Sequence, residues 1–129
     1  MSLWKYFHHP QAAMVLLRVT LAVLMLFHGW AKITHGIGGI EALVAKTGLP
    51  SFLAYAVFIG EVIAPLFMLL GLYVVPAALI VVIHMIVALL LVHTNHWMQL
   101  NQSGGWALEL QAFFLISALV IAMGYSKNR

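Results

Sequence analysis

The feature that most constrains this chain is an apolar run of about 42 residues from Phe52 to His93, interrupted by one carboxylate, Glu61. A single helix of that length would measure about 63 Å, roughly twice the 30 Å hydrocarbon core of a bilayer. The chain must therefore fold back within the run. Gly71 and Pro76 bracket the turn that we expect, because glycine ends helices and proline suits the start of a new one.

The composition indicates which solvent surrounds the chain. Hydrophobic residues make up 64% of it and charged residues 7%, whereas soluble domains carry about 25% charged residues. The lipid bilayer is therefore the predicted partner. The net charge of +3 includes no basic run, so nucleic acid is not expected as a partner. The absence of cysteine excludes disulfides and thiol catalysis.

The apolar pattern predicts an all-α membrane protein, a four-transmembrane-helix bundle that forms a single domain over residues 1–129. We interpret the first apolar segment as a retained helix rather than a signal peptide, because Arg18 interrupts it and no small-x-small cleavage site follows. A short interfacial helix is expected between spans 1 and 2, from Ile40 to Thr47, with apolar residues opposite Lys46. The predicted spans cover residues 12–30, 52–72, 76–96 and 106–124.

The loop charges predict an orientation. Four spans place both termini on one side of the membrane. That side carries Lys5, Lys127 and Arg129, and the other side carries Lys32 and Lys46. The positive-inside rule therefore favours cytoplasmic termini.

Ionisable residues inside the spans are the candidate functional residues, because charges in a bilayer are costly and seek partners. Counting from the helix ends near the first and third loops places Arg18, Glu61 and His84 about 15–18 Å deep at 1.5 Å per residue. We therefore expect a buried polar cluster in which Arg18 pairs with Glu61. The simplest alternative to a functional role is that this Arg18–Glu61 pair is a structural ion pair that joins two helices.

A second polar cluster is predicted near the loop end of the bundle, comprising His28, Lys32, His93, His96 and Glu109. His93 and His96 share one helix face, whereas His84 points about 180° away from His93. A haem held between these histidines is therefore disfavoured, and no metal site is predicted. Lys32 can also simply extend to the interface, and Glu109 suits the N-terminal dipole of its helix.

The chain resembles the DoxX-like family in the order of its polar and glycine positions. The resemblance covers nearly the whole length and rests on Arg18, His28-Gly29-Trp30-Ala31-Lys32-Ile33, Gly48-Leu49-Pro50, Gly60-Glu61, Leu70-Gly71, His93, Gly104-Gly105 and Glu109. The resemblance implies a small four-helix protein of the bacterial cell inner membrane. The family name comes from a subunit linked to thiosulfate oxidation with quinone as electron acceptor. Carried over by position, the family's polar pattern falls on Arg18, Lys32, Glu61, His93 and Glu109.

Three functions follow as hypotheses. The first is an accessory or subunit of a quinone-linked redox process, in which a quinone is the candidate cofactor and an oxidoreductase is the partner subunit. Such a chain would be part of an enzyme rather than a self-sufficient one, and whether it is an enzyme at all stays open. The second is a small proton-coupled transporter that uses Glu61. The third is a structural or assembly component, and self-association into a homo-oligomer is left open.

Overall fold

The computed structural model describes residues 3–91 and 109–126. Within these ranges the chain is helical and contains no strand, which confirms the all-α prediction. The elements in chain order are a 3₁₀ turn at Trp4–Phe7, α1 (Pro10–His35), α2 (Gly38–Lys46), a 3₁₀ segment at Ser51–Ala56, a π-helical turn at Ile59–Ile63, α3 (Ala64–Leu70), α4 (Val74–Leu91) and α5 (Glu109–Tyr125).

Helix α1 is longer than the first predicted span. It begins at Pro10. Proline suits the first helical turn because the backbone N–H groups of that turn have no acceptor within the helix, so the N–H that proline lacks is not needed there. It continues past Trp30 and ends at His35, where Gly36 takes a φ of 83° and its N–H donates to the Lys32 carbonyl. Lys32 therefore belongs to the last turn of the helix and not to the loop that follows.

The predicted reversal of the long apolar run occurs at Gly71–Tyr73. Gly71 adopts the left-handed conformation with a φ of 77°, and its N–H donates to the Met68 carbonyl at 3.2 Å. The N–H of Leu72 reaches the Phe67 carbonyl at 2.9 Å. These two bonds close the end of α3 as a glycine C-cap does. Helix α4 then starts at Val74, so that Pro76 lies in its first turn, where proline is tolerated.

Four helices pack as a ring in the described part of the chain: α1 contacts α3 and α5, and α4 also contacts α3 and α5. The core between them is rich in small and flexible side chains, which let helix backbones approach closely. Its fully buried members include Ala22, Met25, Met68, Ala78, Val81, Ala118 and Ile121.

Helix α2 packs beside the start of the second long apolar helix rather than on the main core. Ile37 and Val44 are buried against Ala54 and Val57 of the segment that follows. The structure thus places a helix at the predicted location between the first two apolar segments. Residues of both segments, Ile40 of α2 and Leu53 of Ser51–Ala56 among them, line the cavity described below.

The outer faces of the bundle are apolar. Two helices in the described ranges, Pro10–His35 and Ser51–Leu70, are long and apolar enough to cross a membrane, and α4 and α5 are shorter apolar helices. Large side chains such as Leu16, Phe27, Phe113 and Met123 are more than half exposed. A soluble protein rarely exposes so much continuous apolar surface, so these faces suit contact with lipid.

Candidate functional site: a buried carboxylate between a lysine and a histidine

Glu61 is the centre of the candidate site and is the buried carboxylate of the described structure, with 5% of its surface exposed. Lys32 Nζ of α1 donates to Glu61 Oε1 at 2.7 Å. His84 Nε2 of α4 lies 2.7 Å from Glu61 Oε2. Three elements that are far apart in sequence therefore meet at one carboxylate, and we call Lys32, Glu61 and His84 the triad.

The charges of the triad compensate one another. An ionised Glu61 can only accept hydrogen bonds, so His84 donates from Nε2. With His84 neutral, one positive charge on Lys32 balances one negative charge on Glu61. Burial of a lone carboxylate would be costly, and the two short charge-assisted bonds offset that cost.

The helix that carries Glu61 is irregular at this position. The π-helical turn Ile59–Ile63 contains Glu61, and the N–H of Ala64 bonds back to the Ile59 carbonyl, five residues earlier. Pro65 follows directly: it has no N–H to donate to the Glu61 carbonyl, and its ring would clash with that carbonyl in a regular α-helix. The widened turn accommodates the proline. Such turns are rare and occur frequently at functional sites.

Two glycines allow the three elements to approach the triad. A Cβ on Gly29 of α1 would lie 2.5 Å from the backbone oxygen of Glu61. A Cβ on Gly60 would overlap the ring of His84. Each glycine therefore removes a side chain that would push α1 or α4 away from Glu61.

The triad forms one wall of a cavity of about 380 Å³. The remaining lining is mostly apolar and comes from α1, α2, the 3₁₀ segment, α4 and α5, including Met25, Ile40, Leu53, Ile83, Met85 and Phe114. His28 also lines the cavity: its ring meets Phe114 edge-on at 5.4 Å between centroids, and its Nδ1 lies 3.0 Å from the Leu24 carbonyl. The cavity thus combines an apolar body with a polar wall, as small-molecule sites do.

The predicted pairing of Arg18 with Glu61 is wrong. Gly29 lies level with Glu61, so Arg18, eleven residues earlier in α1, is about 16 Å further along the helix axis. The sequence prediction assumed that the first helix ends at Trp30, whereas α1 continues to His35. Because depth was counted from that end, Arg18 was placed too close to the level of Glu61. The buried polar cluster predicted from Arg18, Glu61 and His84 therefore divides into two sites.

Arg18 lies instead at the opposite end of the bundle. Its Nη1 donates to the hydroxyl of Tyr125 in α5 at 3.2 Å, and the guanidinium lies 5.7 Å from the centre of that ring. A Cβ on Gly71 would lie 3.3 Å from Arg18 Nη1, which puts the guanidinium beside the turn between α3 and α4. Arg18 Nε is buried and has no hydrogen-bond partner within residues 3–91 and 109–126.

The predicted loop-side cluster is only partly described. Lys32 belongs to the triad and His28 to the cavity lining. Glu109 is exposed in the first turn of α5, where the helix dipole stabilises a carboxylate. His93 and His96 lie outside the described residues.

Sequence reasoning missed Tyr125, which contacts Arg18, and Gln111, whose side chain lines the cavity. Neither residue carries a sequence signal, since a single tyrosine or glutamine in an apolar helix has no diagnostic spacing. The pairing of Lys32 with Glu61 did have one sequence signal: Gly29 lies three residues before Lys32, and Gly60 lies directly before Glu61. In the residues that the structure describes, no group of three His, Cys, Asp or Glu side chains could hold a metal ion.

The fold and the site together define a class: a helical membrane protein with apolar outer faces and an ion triad inside its bundle. The sequence profile of the DoxX family matches residues 13–94, more than half of the chain, and the chain belongs to the DoxX family. This confirms the resemblance found in the sequence and agrees with an integral membrane protein. Comparisons with curated proteins and with solved structures give no significant match.

Proposed function

We propose that this protein is a membrane component of a quinone-linked redox process and that it binds the quinone head group in the cavity beside the triad. The observation that carries the proposal is the Lys32–Glu61–His84 array on the wall of an otherwise apolar cavity of about 380 Å³. Ligand pockets are typically about 300–1,000 Å³ and mostly apolar, with a few polar groups that orient the ligand.

The lining residues fit the chemistry of such a ligand. A quinone ring is flat and apolar, and its polar atoms are the oxygens at opposite edges. Lys32 carries three N–H donors and gives one to Glu61, so two are left to donate to a ring oxygen. Met25, Met85 and Phe114 supply polarisable and aromatic surface for the ring.

Proton transfer is the second requirement, because a quinone takes up protons when it is reduced. The Glu61 carboxylate and the His84 imidazole are hydrogen-bonded to each other and both line the cavity. Such a pair can hold and pass a proton within hydrogen-bond reach of a ligand. The electrons would be exchanged with an oxidoreductase partner subunit, which makes the protein an accessory rather than a self-sufficient enzyme.

The membrane arrangement belongs to the same proposal. We place α1, Ser51–Leu70, α4 and α5 as four membrane spans, with α2 in the interface and both termini in the cytoplasm of a bacterial cell. Helices α4 and α5 are about 27 and 26 Å long at 1.5 Å per residue, close to the thickness of the hydrocarbon core. In this arrangement the cavity lies within the bundle, and a lipid-soluble quinone would reach it from the bilayer.

The test is purification in mild detergent from the native host, followed by mass spectrometry of co-purified proteins and lipid-soluble cofactors. We expect a quinone and an oxidoreductase subunit with the wild-type protein. The Glu61→Gln variant keeps the side-chain shape and should lose the quinone together with quinone-dependent respiration.

Glu41→Gln is the matched control, since this carboxylate of α2 does not line the cavity. It should behave like the wild-type protein. A Glu61→Gln variant with unchanged quinone content and unchanged respiration would overturn the proposal. That result would favour a role in transport or in the assembly of a membrane complex.

A further inference from the structure

Arg18 is a partly buried cation at the end of the bundle opposite the triad. Its Nη1 donates to the Tyr125 hydroxyl, and its guanidinium lies beside Gly71 of the α3–α4 turn. Tyr125 is the last residue of α5 and Gly71 caps α3, so the guanidinium lies level with the ends of two helices. Helices that span a bilayer end near the lipid headgroups. Arg18 therefore lies at the depth of a headgroup.

The positive charge of Arg18 has no carboxylate partner among residues 3–91 and 109–126. The chain contains three acidic residues, and all three lie within these ranges. Glu61 belongs to the triad. Glu109 begins α5 and Tyr125 ends it, so the two lie about 24 Å apart along the helix axis. Glu41 lies in α2, which packs beside the beginning of the apolar helix that ends at the α3–α4 turn.

The guanidinium of Arg18 has a buried part and an accessible part. Nε is buried, so no ligand reaches it. Nη2 has no hydrogen-bond partner in the described ranges and is not buried. The C-terminal ends of α3 and α5 favour a cation at this place, but no backbone carbonyl in those ranges accepts a hydrogen bond from it. The donors of Nη2 are therefore free for an anion, and an ionised group in a bilayer is costly without a partner.

We propose that Arg18 binds the phosphate group of an anionic phospholipid through the N–H groups of Nη2. Arginine suits phosphate because its planar N–H donors match the spacing of the phosphate oxygens, and the lipid supplies the negative charge that the chain lacks here. Leu70 and Leu72 flank Gly71 and are at least half exposed, so they offer apolar surface to the acyl chains. Basic sites between membrane helices bind lipid headgroups in the same way. The site is separate from the triad cavity and independent of its ligand.

The experiment measures lipid binding to the purified protein in an uncharged detergent by native mass spectrometry. The probes are dioleoyl phosphatidylglycerol and dioleoyl phosphatidylcholine, which have the same acyl chains but differ in net charge. The wild-type protein should bind phosphatidylglycerol more tightly. Arg18→Gln should weaken phosphatidylglycerol binding by roughly tenfold or more, the value of a hydrogen bond between charged groups, and bring it to the level of phosphatidylcholine.

Lys5→Gln is the matched control, because it removes an exposed cation from the segment before α1 and should keep the preference. Tyr125→Phe removes the hydrogen bond of Arg18 but not its charge, and should also keep the preference, which separates lipid binding from local structure. Equal binding of the two lipids by the wild-type protein, or equal losses in Arg18→Gln and Lys5→Gln, would overturn the inference. Binding of inorganic phosphate that depends on Arg18, without a preference for phosphatidylglycerol, would also overturn it and indicate a site for a free anion.

Discussion

At the scale of single residues, Arg18 and Glu61 have other hydrogen-bond partners than the sequence predicted. Glu61 is held by Lys32 and His84, and Arg18 is held by Tyr125. The sequence pointed to Arg18, Lys32, Glu61 and His84 as candidates, because ionisable residues are scarce in the apolar segments. It did not identify the pairs, because a pairing depends on how far each helix extends and on where its turns widen.

The Lys32–Glu61 pair predicts a specific pattern of stabilities. Lys32→Met should lower the free energy of unfolding by about 3 kcal/mol, since it leaves the buried Glu61 carboxylate without its cation, and Glu61→Leu should lower it by less, since the Lys32 side chain is 26% exposed. The double variant should recover most of that loss. Thermal unfolding in detergent, followed by tryptophan fluorescence, measures all three against Lys46→Met, which removes an exposed lysine at the end of α2. Additive losses in the double variant would show that the two side chains do not interact energetically.

The Arg18–Tyr125 contact has two components that substitution can separate. Tyr125→Phe removes the hydrogen bond and keeps the ring beneath the guanidinium, so we expect a loss of about 1 kcal/mol. Tyr125→Leu also removes the cation–π contact and should cost more. Tyr55→Phe, at an exposed tyrosine, is the control for the same thermal measurement. Identical stabilities for Tyr125→Phe and Tyr125→Leu would leave no role for the ring.

At the scale of helices, the apolar runs and the glycine and proline positions predict most of the architecture. The reversal near Gly71 and the short helix after α1 both follow from such signals. The π-helical turn at Ile59–Ile63 does not, although Pro65 marks a break in the hydrogen-bond ladder at that place. A proline can be accommodated by a kink, a 3₁₀ turn or a π turn, and the packing of α1 and α4 around Glu61 decides among them.

The close approach of α1 to the π-helical turn Ile59–Ile63 predicts that no residue larger than glycine is tolerated at position 29. Gly29→Ala would place a Cβ against the backbone of Glu61 and should cost about 1–3 kcal/mol, as overpacking of a close contact does. It should also weaken ligand binding, because α1 carries Lys32. Gly38→Ala is the matched control: its Cβ meets nothing within 4 Å. Equal melting temperatures for the two variants would contradict the close contact.

At the scale of the whole molecule, the structure changes the count of charges that governs orientation. Lys32 lies in the last turn of α1 and pairs with Glu61, so it does not act as a loop charge. Lys46 is then the lysine of the segment between α1 and Ser51–Leu70, where Glu41 also lies. The terminal side carries Lys5, and Lys127 and Arg129 follow α5 in the sequence. For the four spans that we propose, the positive-inside rule then predicts cytoplasmic termini from three charges against one.

Because the chain contains no cysteine, this orientation can be tested with single cysteines and no background labelling. Lys5→Cys and Tyr73→Cys, both at exposed positions, should react with a membrane-impermeant maleimide only after the cells are opened. Gly39→Cys, in α2, should react in intact cells, since the proposed orientation places α2 on the outer side of the membrane. Labelling of Gly39→Cys and Tyr73→Cys from the same side would mean that Ser51–Leu70 does not cross the membrane. Labelling of Lys5→Cys alone in intact cells would place the N-terminus on the opposite side of the membrane from both α2 and the α3–α4 turn, so that α1 crosses and Ser51–Leu70 does not. Full inversion, with Lys5→Cys and Tyr73→Cys labelled in intact cells, would keep the four spans and reverse their direction.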